Sequence, residues 1–278
     1  MACLDPLTGW RGKTQPDHKR PIVFSPRQAE DPSTPLDIPC GKCDGCLATA
    51  SREWGIRCYH ESTQHDRNAF VTLTYDDEHY PEDGKISVDI LQNFIKRLRE
   101  QVKPAKLRYF ACGEYGELTR RPHYHLLVFG MDFRGGEEII NEQGDYSSQI
   151  IANSWDKGHN MCANVSPASC FYVAGYETKK IGDPDIFKLQ SRRPAIGRAF
   201  TDKYIDEIAN MGKIVIGGRE WPIPAVYFQW HPEKLLERQK EAETYNLSKD
   251  FHEKWEQNRH KIKAFNSKKL RQHDGTKL

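Results

Sequence analysis

The segment RPHYHLLVFG, residues 121–130, most constrains what this chain can fold into. A proline precedes and a glycine follows a run of aromatic and aliphatic residues, which predicts a β-strand. Side chains two positions apart on a strand share a face, so His123 and His125 point to one side of a sheet and Tyr124 to the other. Two neighbouring neutral imidazoles form half of a metal site. The alternative is that both histidines are ordinary strand residues, hydrogen-bonded to their neighbours.

A carboxylate could complete this metal site. Residues 107–112 predict a second strand, and the short polar connection at 116–121 makes the two strands a hairpin. Glu114 has the strand parity that puts it beside the histidines, whereas Glu117 lies in the loop, so we favour Glu114. Mixed nitrogen and oxygen ligands suit Mn²⁺ and Mg²⁺ equally, and a metal there would polarise a scissile phosphate.

A pair of tyrosines follows on a predicted helix. Residues 166–167 start it, because Ser caps a helix well and Pro is tolerated in the first turn. Tyr172 and Tyr176 are four residues apart and share a face. A phenol is a poor nucleophile unless a nearby metal or ammonium stabilises its charged form, which Lys179 or Lys180 could do. Two such tyrosines could act in turn on a phosphodiester; the alternative is that both are packing residues.

A cysteine-rich turn forms a second candidate metal site. The motif supplies three thiols two residues apart, Cys40, Cys43 and Cys46. This spacing is typical of structural zinc, which takes four ligands, with an iron–sulfur cluster or unliganded thiols as alternatives. The candidates for the fourth ligand are Cys3, Cys58 and His60. Cys3 is attractive because it would anchor the proline-rich leader.

The remaining pattern predicts an α+β fold, an antiparallel sheet with helices on one face, plus the cysteine-rich N-terminal turn and a helical C-terminal extension. The leader, residues 1–39, shows no period and is expected to be irregular. Helices are expected at 47–62, 87–102, 147–155, 200–211 and from 232 on, strands at 70–75 and in a hairpin at 213–221, and a basic loop at 188–200. We divide the chain into residues 1–62, 63–205 and 206–278.

Composition limits the classes of protein that remain. The 278 residues have a formal net charge of +2, and no apolar run approaches the roughly 20 residues that a membrane helix needs. The start lacks the features of a signal peptide, so we expect no membrane association and eight cysteines that are thiols or metal ligands. Residues 259–278 contain seven Lys or Arg and one acid, a local charge of +6. Such a tail fits a polyanionic partner as well as a solvated end.

Together these motifs resemble the HUH endonucleases, and within them the replication initiators of microviruses, the small single-stranded DNA phages, in particular the gokushovirus branch. Residues 121–125 resemble the two-histidine motif, and residues 172–179 resemble the two-tyrosine signature of rolling-circle initiators. Further agreement lies at residues 1–3, 39–46, 70–77, 112–117 and 191–197. The resemblance covers about residues 1–205.

The resemblance implies an activity and a set of site residues. A metal would be held by His123, His125 and an acidic residue, with Tyr172 and Tyr176 as nucleophiles and Lys179 as the helper lysine. The enzyme would nick supercoiled phage DNA at an origin, form a 5′-phosphotyrosine link, leave a 3′-OH primer and later rejoin the product strand. The chain departs from the family at Gly175, where a Lys or Arg that contacts phosphate is common.

The partners follow from the same comparison. They are single-stranded and supercoiled phage DNA at the origin, in the cytoplasm of the bacterial host. No nucleotide-binding loop of the Gly-x-x-x-x-Gly-Lys type is present, so a host helicase as well as a polymerase is expected. Thr72 and Thr74 are small enough for a DNA backbone to approach. Arginines in the loop after the tyrosine helix could bind phosphates or could be merely solvated: Arg192, Arg193 and Arg198.

Three other functions compete with this interpretation. The first is another HUH enzyme, such as a plasmid initiator or a transposase, against which the leader and the cysteine motif argue. The second is a non-catalytic nucleic-acid-binding module, which would need neither the tyrosine pair nor the metal ligands. The third is a phosphodiesterase that uses water, which would keep the metal but tolerate the loss of both tyrosines.

Overall fold

The computed structural model describes residues 3–15, 20–116, 120–135, 138–139, 141–179 and 185–246. The strands are β1 (Leu7–Arg11), β2 (Ile22–Val23), β3 (Leu36–Ile38), β4 (Asn68–Tyr75), β5 (Arg108–Tyr115), β6 (Pro122–Phe129), β7 (Glu138–Ile139), β8 (Tyr146–Ser147), β9 (Gly158–Ala163), β10 (Phe187–Gln190), β11 (Ile214–Ile216) and β12 (Arg219–Trp221). The helices are α1 (Asp44–Ser62), α2 (Val88–Gln101), α3 (Gln149–Ala152), α4 (Pro167–Lys179), α5 (Arg198–Met211), α6 (Ala225–Trp230) and α7 (Pro232–Asn246).

The chain forms two compact units. The first comprises residues 1–49 together with the chain from residue 239 on, and the second comprises residues 50–238. The three-part division expected from the sequence, with boundaries after residues 62 and 205, stays a prediction. The basic tail, residues 259–278, lies outside the described residues.

The first unit contains a small antiparallel sheet in the order β2-β1-β3. Leu7 is paired with Ile38 and Trp10 with Val23. The prediction of an irregular leader was therefore wrong. These strands are two to five residues long, too short for a period of two to stand out from the sequence.

The second unit is built on a seven-stranded antiparallel sheet in the order β10-β5-β6-β4-β9-β8-β7. The predicted hairpin of β5 and β6 is present, and β6 lies between β5 and β4. Two strands depart from the prediction. The strand β9 was not foreseen, and β10 occupies the start of the segment that was expected to be a loop. The predicted helix at 147–155 is shorter, because Ser147 belongs to β8 and α3 covers only Gln149–Ala152.

One face of this sheet holds the larger apolar core. Alternate residues of β4 and β6 point into it, as the period of a strand requires. The core consists of Val71, Leu73, Tyr124, Leu126 and Val128 from the strands, Leu91, Phe94 and Leu98 from α2, and Trp155. The helix α2 begins as predicted at Ser87, whose hydroxyl accepts a hydrogen bond from the Ile90 backbone N–H at 3.4 Å.

Helices also cover the opposite face, although they were expected on one face only. There the strands contribute Phe110, Cys112, Leu127 and Phe129, α1 contributes Cys58, and α4 contributes Cys170, Val173 and Tyr176. The helices α1 and α4 approach closely at Gly55, where a Cβ would lie 2.3 Å from the Phe171 ring. The α+β class with an antiparallel sheet is confirmed, and α4 is placed directly over β6.

The end of the second unit forms a third cluster around Tyr227, which is fully buried. The predicted helix at 200–211 and the predicted hairpin at 213–221 are present as α5 and as β11 with β12. His60 of α1 lies in this cluster, with its Nδ1 2.8 Å from the Tyr227 hydroxyl. Within the described part of the chain, no helix is long and apolar enough to cross a membrane.

Candidate active site and cysteine cluster

His125 lies at the centre of the sheet and is held at both ring nitrogens. It is buried, with 6% of its surface exposed. Its Nε2 lies 2.9 Å from Glu114 Oε1, and its Nδ1 lies 3.0 Å from Thr72 Oγ1. The register explains both contacts, since Thr72 is paired with His125 across β4 and β6, and Glu114 is one residue pair away on β5.

His123 shares this face and is held by the backbone. Its Nδ1 lies 2.7 Å from the Arg121 carbonyl oxygen, which can only accept, so Nδ1 carries the proton and Nε2 of the neutral ring carries a lone pair. The rings of His123 and His125 are nearly parallel, at 8° and 6.5 Å between centroids. Gly116 leaves room for the His123 ring, because a Cβ there would lie only 3.2 Å from His123 Cε1.

The acidic partner at this face is Glu114, which is 6% exposed and directly opposite His123 in the hairpin. The competing candidate, Glu117, lies outside the described residues. Two imidazoles and one carboxylate on one face form a donor set that fits Mg²⁺ or Mn²⁺. Metal-binding histidines usually hold their second nitrogen in a hydrogen bond, and both rings have such a bond at Nδ1.

Both tyrosines of α4 lie over these histidines. The Tyr176 ring stacks on His125 at 5.2 Å and 4°, and the Tyr172 ring meets it edge-on at 5.7 Å and 81°. The Tyr176 hydroxyl donates a hydrogen bond to the Tyr172 hydroxyl. The two differ in exposure, since Tyr172 is 53% exposed and Tyr176 only 3%. The helix therefore brings both predicted nucleophiles to the predicted metal ligands, one at the surface and one beneath it.

The surroundings of Tyr176 keep its hydroxyl neutral. Burial raises the pKa of Tyr176, and its hydrogen bonds with Glu114 and Tyr172 raise this pKa further. A cation near the hydroxyl would be needed to reverse that shift. The predicted helper, Lys179, is the last residue of α4, but its side chain lies outside the described ones, as does Lys180. A Cβ on Gly175 would meet nothing within 4 Å, so packing does not require glycine at this position.

The predicted DNA-contacting residues lie in two places. Thr72 and Thr74 are half-buried on β4 and face the histidines. Arg192 and Arg193 are exposed in the turn after β10. Arg198 begins α5, and its Nε lies 2.7 Å from Asp202 Oδ1.

The sequence did not reveal two further groups near this face. His159 is exposed on β9, opposite Thr74 and therefore on the face of the two histidines. The Arg57 guanidinium lies 3.7 Å above the Trp54 ring, and the Lys188 ammonium lies 5.0 Å from the same ring. The spacing of Trp54 and Arg57, three residues apart on a predicted helix, was the available signal. Nothing marked His159, because β9 itself was missed.

The cysteine cluster in the first unit is compact. The sulfur atoms of Cys3, Cys40, Cys43 and Cys46 all lie within 4.8 Å of one another. The Cys3 and Cys43 sulfurs are 3.7 Å apart, too far for a disulfide. Such a group could hold a metal ion. No other set of three or more His, Cys, Asp or Glu side chains among the described residues brings its donor atoms so close together.

Backbone N–H groups point at these sulfurs. Cys43 Sγ accepts from the Leu4 N–H at 3.3 Å, Cys3 Sγ accepts from the Cys40 N–H at 3.3 Å, and Cys40 Sγ accepts from the Cys43 N–H at 3.4 Å. Burial alone would raise the pKa of Cys43, but N–H groups of Leu4 and Cys46 stabilise its thiolate and lower the pKa to about 6. The site is therefore suited to thiolates rather than thiols.

Of the three candidates for the fourth ligand, the structure places Cys3 in the cluster. Cys58 is fully buried in the apolar layer between α4 and the sheet. His60 is engaged with the Tyr227 hydroxyl and stacks on Phe200 at 3.8 Å. Both belong to the core of the second unit.

Comparison with known proteins agrees with this architecture. The family model for the ORF2 type of replication-associated protein matches residues 68–181, which run from β4 to just past α4. Replication-associated protein VP4 of Bdellovibrio phage phiMH2K is 36% identical over 261 residues, 85% of this chain and 80% of that protein. No solved structure matches.

Two further relatives carry the same description. Replication-associated protein ORF2 of Spiroplasma virus 4 is 38% identical over 164 residues, 55% of this chain and 51% of its own. Replication-associated protein ORF4 of Chlamydia phage 1 is 30% identical over 226 residues, 74% of this chain and 56% of its own. Since the first relative is matched over most of its length, this chain belongs to the family of microvirus replication-associated proteins.

Proposed function

We propose that this protein initiates rolling-circle replication as a metal-dependent tyrosine endonuclease and strand-transferase. It nicks one strand of the phage origin, becomes linked to the 5′ end through a phosphotyrosine, leaves a 3′-OH primer and rejoins the displaced strand. The observation that carries the proposal is the stack of Tyr172 and Tyr176 on His125, itself in contact with Glu114. The relatives described as replication-associated proteins support the replication role.

The residues that would hold the metal are His123, His125 and Glu114. A bound Mg²⁺ or Mn²⁺ would polarise the scissile phosphate and stabilise charge on its oxygens and on the attacking phenolate. His123 presents Nε2 because its Nδ1 proton is engaged by the Arg121 carbonyl. Glu114 contributes a negative charge that offsets part of the charge of a cation, and its burial keeps water away from this side of the site.

The chemistry assigned to the tyrosine is a phosphoryl transfer. The phenolic oxygen bonds to phosphorus as the bond from phosphorus to the 3′-oxygen breaks, the phenol loses a proton, and the 3′-oxygen gains one. Burial raises the pKa of Tyr176, so this step needs a positive charge beside the hydroxyl. Lys179, carried over from the resemblance, is the residue we assign to that role together with the metal.

The second tyrosine would complete the cycle. While one tyrosine carries DNA, the other attacks the regenerated origin, and the new 3′-OH displaces the first tyrosine to close the product circle. The juxtaposition of two tyrosines at one pair of histidines favours this scheme over a phosphodiesterase that uses water, which needs no tyrosine. It also weighs against a non-catalytic binding module. Another HUH enzyme, a plasmid initiator or a transposase, remains the alternative within the same chemistry.

We also assign a structural Zn²⁺ to Cys3, Cys40, Cys43 and Cys46. Tetrahedral zinc with Zn–S distances of about 2.3 Å separates its sulfurs by about 3.8 Å. The separation of the Cys3 and Cys43 sulfurs, 3.7 Å, is close to that value. Four thiolates leave no open position for a substrate, so this metal would support the fold of the first unit and take no part in cutting DNA.

The partners of this activity are single-stranded and supercoiled phage DNA at the origin, in the cytoplasm of the bacterial host. Arg192 and Arg193 are exposed and could bind phosphates, while Thr74 borders the site. The sequence has no nucleotide-binding loop, so strand separation is assigned to a host helicase and synthesis to a host polymerase.

The direct test uses labelled single-stranded DNA that carries a candidate origin sequence, incubated with the protein and Mn²⁺ or EDTA and run on a denaturing protein gel. A metal-dependent shifted band is expected, since a covalent link survives denaturation. Cleavage without a shifted band would favour the phosphodiesterase. If neither occurs, supercoiled circular DNA is used next, and an absence of nicking there as well would overturn the proposed activity.

A further inference from the structure

We infer that Thr72, which the sequence had suggested as a DNA contact, positions His125 for metal binding. The inference rests on the proposed metal site and names one more residue that the site needs. Its basis is the 3.0 Å contact between Thr72 Oγ1 and His125 Nδ1, on the ring edge that faces away from Glu114. A residue in this role acts through the histidine and need not touch DNA.

The threonine is rigidly placed. It lies in the middle of β4, which is hydrogen-bonded to β6 on one side and β9 on the other, so its backbone is held from both edges. Branching at Cβ limits a threonine in a strand to few rotamers. Thr72 is directly opposite His125 in the register, where cross-strand side chains are closest. The hydroxyl is therefore aimed at the imidazole by the fold.

A hydroxyl suits this position because it can donate or accept. A metal bound to His125 Nε2 requires the ring proton on Nδ1, where Thr72 Oγ1 would accept it. Without a metal, Nε2 can donate to Glu114 and Nδ1 can accept from the Thr72 hydroxyl. The same contact thus holds the ring in either tautomer, while the Tyr176 ring, stacked at 4°, covers one of its faces.

The neighbouring pair provides a natural contrast. Thr74 is on the same strand and face and is paired with His123. The Nδ1 of His123, however, is held by the backbone carbonyl of Arg121, which no side-chain substitution removes. Only one of the two histidines therefore depends on a side chain for its orientation, and the equivalent change at Thr74 is a matched control.

The experiment compares Thr72→Val, Thr72→Ser and Thr74→Val in the full chain. Mn²⁺ alone is titrated calorimetrically, because thiolates of the cysteine cluster prefer softer metals. Thr72→Val keeps the shape but removes the hydroxyl, and we expect Mn²⁺ affinity to fall about 10- to 100-fold, the usual cost of losing such a support. Thr72→Ser should restore most of the affinity, and Thr74→Val should bind as the wild type does.

A second measurement is independent of the metal. The ¹⁵N shifts of the His125 ring in metal-free protein report which nitrogen is protonated and hydrogen-bonded, and they should change in Thr72→Val but not in Thr74→Val. Wild-type affinity and unchanged shifts in a folded Thr72→Val would overturn the inference. If His123→Ala also binds Mn²⁺ as the wild type does, the metal site is wrong and the inference fails with it. Loss in His123→Ala with full retention in Thr72→Val rejects the role of Thr72 alone.

Discussion

Two groups of side chains in this protein have the chemistry of metal ligands, and they are assembled differently. In the first unit, four cysteine sulfurs lie within 4.8 Å of one another, with backbone N–H groups directed at them. In the second unit, His123, His125 and Glu114 share one face of a sheet, but their donor atoms are not gathered to that degree, and His125 hydrogen-bonds directly to Glu114.

The difference separates a structural site from a reactive one. Three of the cysteines come from one seven-residue turn, so local spacing alone brings them together, and four thiolates leave nothing open. The second group draws on three elements: two strands supply the ligands, and α4 supplies the tyrosines. Three protein donors leave positions for phosphate and water. A site that must admit a substrate is therefore built on separate elements, with a helix covering it.

The largest effect is expected from removing both nucleophiles. Changing Tyr172 and Tyr176 together to Phe should abolish the covalent protein–DNA band, because no other phenol is placed over the histidines among the described residues. DNA binding, measured by fluorescence anisotropy, should persist. Changing Tyr204 to Phe is the control, since this tyrosine lies on α5 and stacks on Phe200. A covalent band from the double variant would remove the tyrosines from the mechanism.

Zinc content should separate the two groups next. Cys43→Ser is expected to lower the zinc stoichiometry from about one to near zero and to increase hydrogen exchange within residues 3–15 and 36–46, since structural zinc contributes directly to folding. Exchange in β4 to β6 should stay as in the wild type. Cys162→Ala, which removes a cysteine buried in the other unit, should keep its zinc. Stoichiometric zinc in Cys43→Ser would show that the cluster is not the zinc site.

The open site should respond to a different substitution. His123→Ala should weaken Mn²⁺ binding by about 100-fold or more and stop metal-dependent cleavage, because one of three ligands is lost. His159→Ala is the matched control, an exposed histidine on the same face and two strands away, and should retain the affinity. Equal losses in both would mean that the ligand set is wider than proposed, and no loss in either would reject this metal site.

Much of the second unit could be predicted because single strands carry their own register information. The period of two placed His123 and His125 on one face, and strand parity brought in Glu114. The helices on both faces had a signal as well, the continuous apolar run Leu126–Phe129, which is typical of a strand buried on both sides. The strand β9, with the sequence GHNMCA, has no β-branched residue and gave no such signal.

The remaining features depend on side-chain positions that no sequence pattern encodes. The unequal exposure of Tyr172 and Tyr176 follows from how α4 tilts onto the sheet, and close packing at Gly55 against Phe171 helps to set that approach. The contact between Thr72 and His125 depends on a rotamer. Sequence reasoning could place these residues in one layer, but it could not show which atoms meet.

The smallest expected effect concerns acid, which should act on the two units by different routes. In the first unit, protons compete with zinc for the thiolates. In the second, burial lowers the pKa of His60 to about 3, against about 6.5 in the unfolded chain. As the pH falls below about 6.5 the unfolded state takes up this proton first, so the contribution of neutral His60 is complete above that pH and is lost progressively down to about 3.

The expected cost is about 1 kcal/mol per pH unit between pH 6 and 4. His60→Gln keeps a polar group near the Tyr227 hydroxyl but cannot titrate, so its unfolding free energy should depend less steeply on pH than that of the wild type. Urea unfolding of zinc-loaded protein at pH 7, 6 and 5, followed by hydrogen exchange within residues 50–238, measures this difference. Parallel pH profiles for both proteins would show that His60 does not titrate on unfolding, and acid sensitivity would then be assigned to the zinc cluster alone.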